Sequence, residues 1–189
     1  GAMGSSKTAN ALITKFNYEE RGMKVWLIKP STDTRDGAGI VQSRIGLMAE
    51  ADIITPEKDI FSEFRLYSDC DVIIADECQF LTAGQIDDLR RIVDELDVPV
   101  LCFGLRTDFL THTFAGSHRL FEVADSITEI KTICKCGKKA IVNARIDGEG
   151  RVLTRGGQIL LGGNDSYVAM CHSCWKKAIA EQEKKEDER

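Results

Sequence analysis

The chain has 189 residues, a formal net charge of −5 at pH 7 and seven cysteines. This length suits one α/β domain with a small appendage, and the acidic balance argues against nucleic acid as the main partner. No apolar stretch reaches transmembrane length and no signal-peptide pattern is present, so we expect a cytoplasmic protein that does not insert into membranes. Seven cysteines in such a chain favour metal binding over disulfides.

The first eight residues nearly fit the phosphate-binding pattern G-x-x-x-x-G-K-[ST], with serine at position 6 in place of the second glycine. Backbone N–H groups of such a loop bind phosphate oxygens, and the following helix N-terminus adds a favourable dipole. Lys7 would then reach the β- and γ-phosphates of ATP, and the Thr8 hydroxyl would bind Mg²⁺. The residues assigned to ATP in this loop are Gly1, Met3, Gly4, Ser5, Ser6, Lys7 and Thr8.

A simpler interpretation of the same residues remains open. Gly1-Ala2-Met3 could be vector-derived and precede an ordinary Ser/Thr helix cap. A phosphate-binding loop also normally follows a strand, whereas the printed sequence begins at Gly1. The serine at position 6 matters if the backbone there is left-handed, because that conformation favours glycine.

Alternating helices and strands follow along the chain. Hydrophobic spacing and caps predict helices over residues 8–21, 60–66 and 82–96. Gly22 is a natural stop for the first helix, and Thr82 with Gln85 has the spacing of a capping box. Strands are predicted over residues 25–28, 53–54, 72–77 and 98–104, and a polar loop over 30–46. The alternation indicates a parallel sheet with helices on its faces.

The strand at 72–77 ends in two acids, Asp76 and Glu77. Acids at the carboxyl end of a parallel strand lie where α/β sheets bind ligands. One would hold Mg²⁺, and the other could accept a proton from a nucleophile. A solvated strand end is the alternative. Together with Lys7 and Thr8, the two acids favour an ATP–Mg²⁺ site.

The character of the chain changes at Cys134. The close pairs Cys134/Cys136 and Cys171/Cys174 flank short β-like runs at residues 140–146 and 158–161. Two thiolate pairs brought together by a small sheet are typical of a zinc ribbon, in which zinc is structural. Free thiols, or His172 as a substitute ligand, are the alternatives.

Taken in order, these segments resemble the type II (zinc-ribbon) thymidine kinases over nearly the whole chain. The specific matches are Asp76-Glu77-Cys78-Gln79-Phe80 and the segment at residues 162–171. The other matching segments are residues 1–8, 29–35 and 104–109. The family normally carries glycine at the position of Ser6, so we expect Ser6 to strain the loop or crowd a phosphate.

The resemblance implies roles at the phosphates. Asp76 would be the second acid of the Mg²⁺ site, and Glu77 the general base that takes the proton of the sugar 5′-hydroxyl. Asp33 and Arg35 would assist at the phosphates and the active-site loop. Gln79 would lie beside the sugar and the metal.

The resemblance also implies a nucleoside site. Leu105, Phe109 and Phe114 would surround the thymine ring. Tyr167, with the backbone of residues 157–165 including Gly163, would form a lasso that closes over the nucleoside. Core packing is the alternative for the two phenylalanines, which lie in a polar stretch.

The fold class implied is α/β: a P-loop (RecA-like) parallel sheet flanked by helices, plus a small zinc-ribbon domain with a lasso loop. We expect an ATP-binding domain over residues 1–130, a zinc ribbon and lasso over 131–180, and a charged, solvated tail over 181–189. The implied activity is phosphorylation of thymidine, and of deoxyuridine, by ATP. The resemblance further implies feedback inhibition by dTTP and a homotetramer.

Two other functions compete with this one. A P-loop ATPase of the recombinase type shares the loop and the acidic strand, but the small size and the lasso segment count against it. A zinc-ribbon nucleic-acid module with a degenerate nucleotide site is opposed by the pI of about 5.3.

Overall fold

The computed structural model describes residues 1–33, 37, 39–66, 69–159 and 166–187. The chain divides into two compact units. The first, the sheet unit, comprises Ser6–Leu105 and Phe114–Thr128. The second, the ribbon unit, comprises Gly1–Ser5, Arg106–Thr113 and Glu129–Arg189.

A four-stranded parallel sheet in the order β4-β1-β5-β6 forms the centre of the sheet unit. Its strands are β1 (Val25–Pro30), β4 (Asp52–Ile54), β5 (Val72–Ala75) and β6 (Val100–Cys102). The predicted parallel sheet is confirmed, although β5 and β6 are shorter than predicted. The predicted loop 30–46 contains a strand, β2 (Ile40–Gln42), which pairs antiparallel with β3 (Met48–Glu50).

Helices cover both faces of this sheet. Successive strand residues point to opposite faces, so Leu27 and Ile74 pack with Leu12 of one helix, whereas Ile73 packs with Ile86 of another on the far side. The helices of the sheet unit are α1 (Lys7–Glu19), α2 (Ile60–Phe64), α3 (Ala83–Leu96) and α4 (Ala115–Val123).

The start of α3 has the predicted capping box. The Thr82 hydroxyl accepts the N–H of Gln85, and the Gln85 side chain accepts the N–H of Thr82. The Gln85 amide also donates to the carbonyls of Thr55 and Lys58. One glutamine therefore both caps α3 and ties it to the segment between β4 and α2.

The ribbon unit is built from two antiparallel strand pairs and one helix. Strand β7 (Thr132–Ile133) pairs with β8 (Lys139–Ala140), and β9 (Val142–Arg145) pairs with β10 (Tyr167–Met170). Helix α5 (His172–Asp187) follows. Strand β9 lies in the predicted run 140–146, whereas residues 160–161 of the run 158–161 are outside the described residues. Within the described part of the chain, no helix has both the length and the apolar character needed to cross a membrane.

The residue before α1 is not an ordinary serine cap. Ser6 has φ 60° and ψ 30°, in the left-handed region, and within the described residues its side chain makes no capping hydrogen bond. A usual serine cap has an extended backbone and accepts an N–H of the first turn. The left-handed backbone at Ser6 therefore favours the phosphate-loop interpretation over the simple cap.

We predict that Ser6→Gly raises the free energy of unfolding by about 1 kcal/mol, because relief of left-handed strain exceeds the extra entropy of an unfolded glycine. Chemical denaturation of both proteins measures the difference. Ser62→Gly is the matched control: Ser62 lies inside α2, where glycine should lower stability by about 0.5 kcal/mol. A loss of stability in both variants would contradict the strain argument.

Candidate functional site

Asp76 lies directly after β5 with its carboxylate buried. Its N–H donates to the carbonyl of Ile28 at 3.0 Å, and the residue is only 3% exposed. The Thr8 hydroxyl hydrogen-bonds the carboxylate, and the charge of Lys7 acts on it. Among the described residues, Asp76 Oδ1 has no hydrogen-bond partner. A buried carboxylate oxygen without a donor, beside a hydroxyl, fits a site for Mg²⁺.

The pKa of Asp76 is raised from 3.8 to about 6. Burial is the main cause, and the negative charge of Glu77 adds to it. The Thr8 hydrogen bond and the charge of Lys7 act in the opposite direction. At neutral pH the carboxylate is therefore ionised but poorly solvated. A cation bound beside it would stabilise this charge.

Glu77 follows in a strained backbone conformation, with φ 50° and ψ 34°. Gln79 donates from its amide to Glu77 Oε2 at 2.5 Å, and its own oxygen accepts the N–H of Leu105 at 2.9 Å. A Cβ on Gly104 would lie 2.7 Å from that oxygen, so only glycine fits there. The sequence-predicted residues Glu77, Gln79 and Leu105 are thus brought together by one amide.

Asp33 lies at the end of β1, where it is 7% exposed. Lys29 Nζ is 3.4 Å from Asp33 Oδ2 and donates to the carbonyl of Ile40 at 2.8 Å. Lys29 is wholly buried and was given no role from the sequence. The predicted residue Arg35 lies outside the described residues.

Gly1–Ser5, the start of the predicted phosphate-binding loop, belong to the ribbon unit. The N–H of Met3 donates to Asn143 Oδ1 at 2.7 Å, and the Asn143 amide donates to the carbonyl of Thr107 at 2.8 Å. A Cβ on Gly1 would lie 2.3 Å from the carbonyl oxygen of Ile130, so the chain passes too closely for a side chain. Asn143 was not identified from the sequence, in which it is simply an amide side chain within an apolar run.

The predicted nucleoside residues occur in both units. In the sheet unit, Phe114 precedes α4 and packs edge-on against Phe80, with ring centroids 5.6 Å apart. In the ribbon unit, Phe109 is 1% exposed and the guanidinium of Arg145 lies 3.9 Å from its ring centroid. Tyr167, on β10, also contacts Arg145. Gly163 lies outside the described residues.

The four cysteines Cys134, Cys136, Cys171 and Cys174, here called the cysteine cluster, have their sulfurs within 4.8 Å of one another. The sulfurs of Cys136 and Cys171 are 3.7 Å apart. Sulfurs at the corners of a tetrahedron with bonds of about 2.3 Å to zinc would be about 3.8 Å apart. The cysteine cluster could therefore hold a metal such as zinc. The ring of His172 lies 5.5 Å from that of Trp175.

The thiols of the cysteine cluster differ in acidity. A hydrogen bond from the backbone of Cys136 lowers the pKa of Cys134 to about 6, and one from the backbone of Cys174 lowers the pKa of Cys171. Hydrogen bonding with Cys136 and the other thiols raises the pKa of Cys174. Metal binding needs thiolates, so the lowered pKa values of Cys134 and Cys171 favour it.

A parallel α/β sheet that ends in a buried carboxylate, beside a Lys-Thr helix start, is the arrangement of enzymes that transfer phosphoryl groups. The family model "Thymidine kinase" matches residues 1–175. The chain therefore belongs to the thymidine kinase family, and with it to the ATP-dependent nucleoside kinases.

Curated relatives agree over almost the full length. The chain is 43% identical to a thymidine kinase of Ruegeria pomeroyi, covering 95% of this chain and 92% of that protein. It is 42% identical to one of Vibrio vulnificus (strain CMCP6), covering 94% of each chain. It is 44% identical to one of Yersinia pestis, covering 94% of this chain and 92% of that protein.

We predict that Asp76→Asn stabilises the protein at neutral pH in the absence of Mg²⁺ and nucleotide. The wild-type carboxyl has a pKa of about 6 when folded and 3.8 ordinarily, so the unfolded state ionises first as pH rises. Wild-type stability therefore falls between about pH 4 and pH 6, by about 2 to 3 kcal/mol, and asparagine avoids this loss.

Denaturant unfolding at several pH values measures the difference between the two proteins. The gain should be full near pH 7 and should vanish towards pH 4. Asp94→Asn is the control, because Asp94 is an exposed partner of Arg90 and its replacement should have a much smaller effect. An Asp76→Asn protein that is less stable than wild type at pH 7 would show that burial does not dominate at Asp76.

Proposed function

We propose that the protein transfers the γ-phosphate of ATP to the 5′-hydroxyl of thymidine, giving dTMP, with deoxyuridine as a second substrate. The observation that carries this proposal is the pair of adjacent acids after β5. Asp76 is buried against Thr8 with one oxygen free of hydrogen bonds among the described residues, and Glu77 is held by Gln79. Phosphoryl transfer needs these two functions side by side: charge neutralisation and a base for the attacking hydroxyl.

On the ATP side, Thr8 and Asp76 would hold Mg²⁺, which when bound neutralises charge on the phosphates. Lys7 is buried at the start of α1, where its ammonium can neutralise the β- and γ-phosphates. Backbone N–H groups of Gly4, Ser5 and Ser6 would bind phosphate oxygens, whereas that of Met3 donates to Asn143. Asp33, whose carboxylate is oriented by Lys29, and Arg35 would assist there.

On the acceptor side, Glu77 would take the proton of the 5′-hydroxyl. Gln79 donates to one oxygen of Glu77, which limits the rotation of the carboxylate and leaves lone pairs on it for that proton. Gln79 would therefore act on the sugar through the base it orients. The residues proposed to surround the nucleobase are Leu105, Phe109, Phe114, Gly163 and Tyr167.

The same proposal divides the chain into three parts. We assign ATP binding to residues 1–130, a structural zinc ribbon to 131–180 and a charged tail to 181–189.

We further propose a cytoplasmic homotetramer that dTTP inhibits and that needs neither nucleic acid nor a membrane. Release of ADP that depends on thymidine and not on DNA would support a kinase over a DNA-dependent ATPase.

We predict that Glu77→Gln lowers turnover by about 10²-fold or more, because the proton of the 5′-hydroxyl then has no acceptor in place. Binding of ATP and thymidine should change little, since glutamine keeps the shape and the contact with Gln79. Steady-state kinetics and calorimetric titration measure the two effects. Glu122→Gln on α4 is the control and should retain full turnover. Near-normal turnover of Glu77→Gln would remove Glu77 from the mechanism.

We predict one tightly bound zinc ion per chain, held by the cysteine cluster. Elemental analysis of protein purified without chelator measures it. Cys171→Ser should lose the metal, whereas Cys70→Ser should keep it, because the Cys70 thiol donates to the carbonyl of Val72. Trp175 directly follows Cys174, so metal removal should also change tryptophan fluorescence. Reduced wild-type protein without any metal would overturn the assignment.

A further inference from the structure

We propose that Arg145 is the positioning residue of the nucleoside site: it fixes Tyr167, Phe109 and the chain at residues 156–158 in one arrangement for binding the base. This role rests on the proposed function. Arg145 belongs to none of the motifs recognised in the sequence.

Arg145 is a buried arginine at the end of β9, with 4% of its surface exposed. It lies directly opposite Tyr167 in the β9–β10 pair. Its Nε and Nη2 groups donate to Tyr167 Oη at 2.9 and 2.6 Å. Two N–H groups on one phenolic oxygen fix the direction of the tyrosine ring, which a single donor could not do.

The same guanidinium stacks on Phe109. Its central carbon lies 3.9 Å from the Phe109 ring centroid and 5.2 Å from that of Tyr167. Both distances are in the range of cation–π attraction. The guanidinium of Arg145 thus covers one face of the Phe109 ring. Phe109 and Tyr167 are therefore joined through one side chain.

The remaining donors of Arg145 hold the backbone. Nη1 donates to the carbonyl of Gly157 at 2.9 Å, and Nη2 lies 3.2 Å from the carbonyl oxygen of Gln158. Gly156 has φ 134°, and a Cβ there would lie 3.3 Å from Arg145 Nη1. Glycine at 156 therefore leaves room for the guanidinium to lie close to the backbone.

Asp108 holds residues 156–158 through the side chain of Gln158. The Gln158 amide donates to Asp108 Oδ2 at 3.0 Å, and Asp108 Oδ1 accepts the N–H groups of Leu110 and His112. Residues 156–158 are consequently held at their carbonyls by Arg145 and at the Gln158 side chain by Asp108. These hydrogen bonds restrain the segment, although it contains the pair Gly156-Gly157.

This arrangement requires a planar fork with several donors, which lysine lacks. Within the described residues, the acceptors that Arg145 uses are all neutral oxygens and aromatic faces. Its loss should therefore disturb the positions of these groups and leave the contacts of Lys7, Thr8 and Asp76, which belong to the sheet unit, as they are. The expected defect is selective for the nucleoside.

The test compares Arg145→Met and Arg145→Lys with wild type in steady-state kinetics. We expect KM for thymidine to rise about tenfold or more in both variants, since several buried hydrogen bonds are lost in each. KM for ATP should stay within about a factor of two. Arg151→Met is the matched control: Arg151 is an exposed arginine of the same unit, paired with Asp147, and its loss should change neither constant.

A double-mutant cycle with Tyr167→Phe tests the mechanism. Tyr167 Oη accepts two hydrogen bonds from Arg145, and Tyr167→Phe removes both. Arg145→Met should therefore raise KM for thymidine less in the Tyr167→Phe background than in wild type. Thermal unfolding and metal content verify that the variants are folded. If Arg145→Met does not fold, Gly156→Ala reaches the same guanidinium from the backbone and should also raise KM for thymidine alone.

Four outcomes overturn the inference. An unchanged KM for thymidine in folded Arg145→Met removes the positioning role, and a parallel rise in both KM values shows a general structural role instead. Full rescue by Arg145→Lys shows that charge alone matters. A wild-type protein without thymidine-dependent turnover overturns the proposed function itself, and the inference with it.

Discussion

The candidate site depends on the burial of one carboxylate. The parallel pairing of β1 with β5 ties the N–H of Asp76 to the carbonyl of Ile28, so the backbone has no freedom to move the acid towards water. Burial raises its pKa to about 6, and the hydrogen bonds from the Thr8 hydroxyl and the Glu77 backbone, with the charge of Lys7, compensate in part. The empty protein therefore holds an unfavourable charge that a divalent cation would relieve, which makes the cation part of the stability of the loaded state.

Backbone strain occurs at two positions beside residues proposed to act at this site. Four non-glycine residues of the described chain have positive φ angles: Ser6, Glu77, Asp97 and Thr111. Ser6 directly precedes Lys7, which is proposed to act on phosphate, and Glu77 is itself the residue proposed to act on the acceptor hydroxyl. A left-handed non-glycine residue costs about 1 to 3 kcal/mol and persists only where its surroundings hold it in place. At Glu77, the short hydrogen bond from Gln79 and the lack of space at Gly104 supply that restraint.

The predictable part of the fold is the part encoded locally. Apolar runs, the stop at Gly22 and the capping box of Thr82 define strands and helices from neighbouring residues alone, and the structure confirms the parallel sheet they imply. The β2–β3 hairpin could not be found in this way, because three-residue strands are too short for a periodic pattern. The acids after β5 and the paired cysteines were also visible locally, since each motif is a few residues long.

What the sequence could not reveal are polar residues whose partners are distant along the chain. Arg145 bonds Tyr167 across the β9–β10 pair, and Asn143 on β9 bonds Met3 and Thr107, which lie far away along the chain. In a linear pattern, both simply interrupt an apolar run. Phe109 is an example. An aromatic residue in a polar stretch suggests direct contact with a base, yet Arg145 already covers one face of the Phe109 ring. The sequence pattern correctly marks the neighbourhood of a binding site, but it cannot separate a residue that touches the ligand from one that supports the residue that does. That distinction requires the geometry, because it depends on which face of the ring is already occupied.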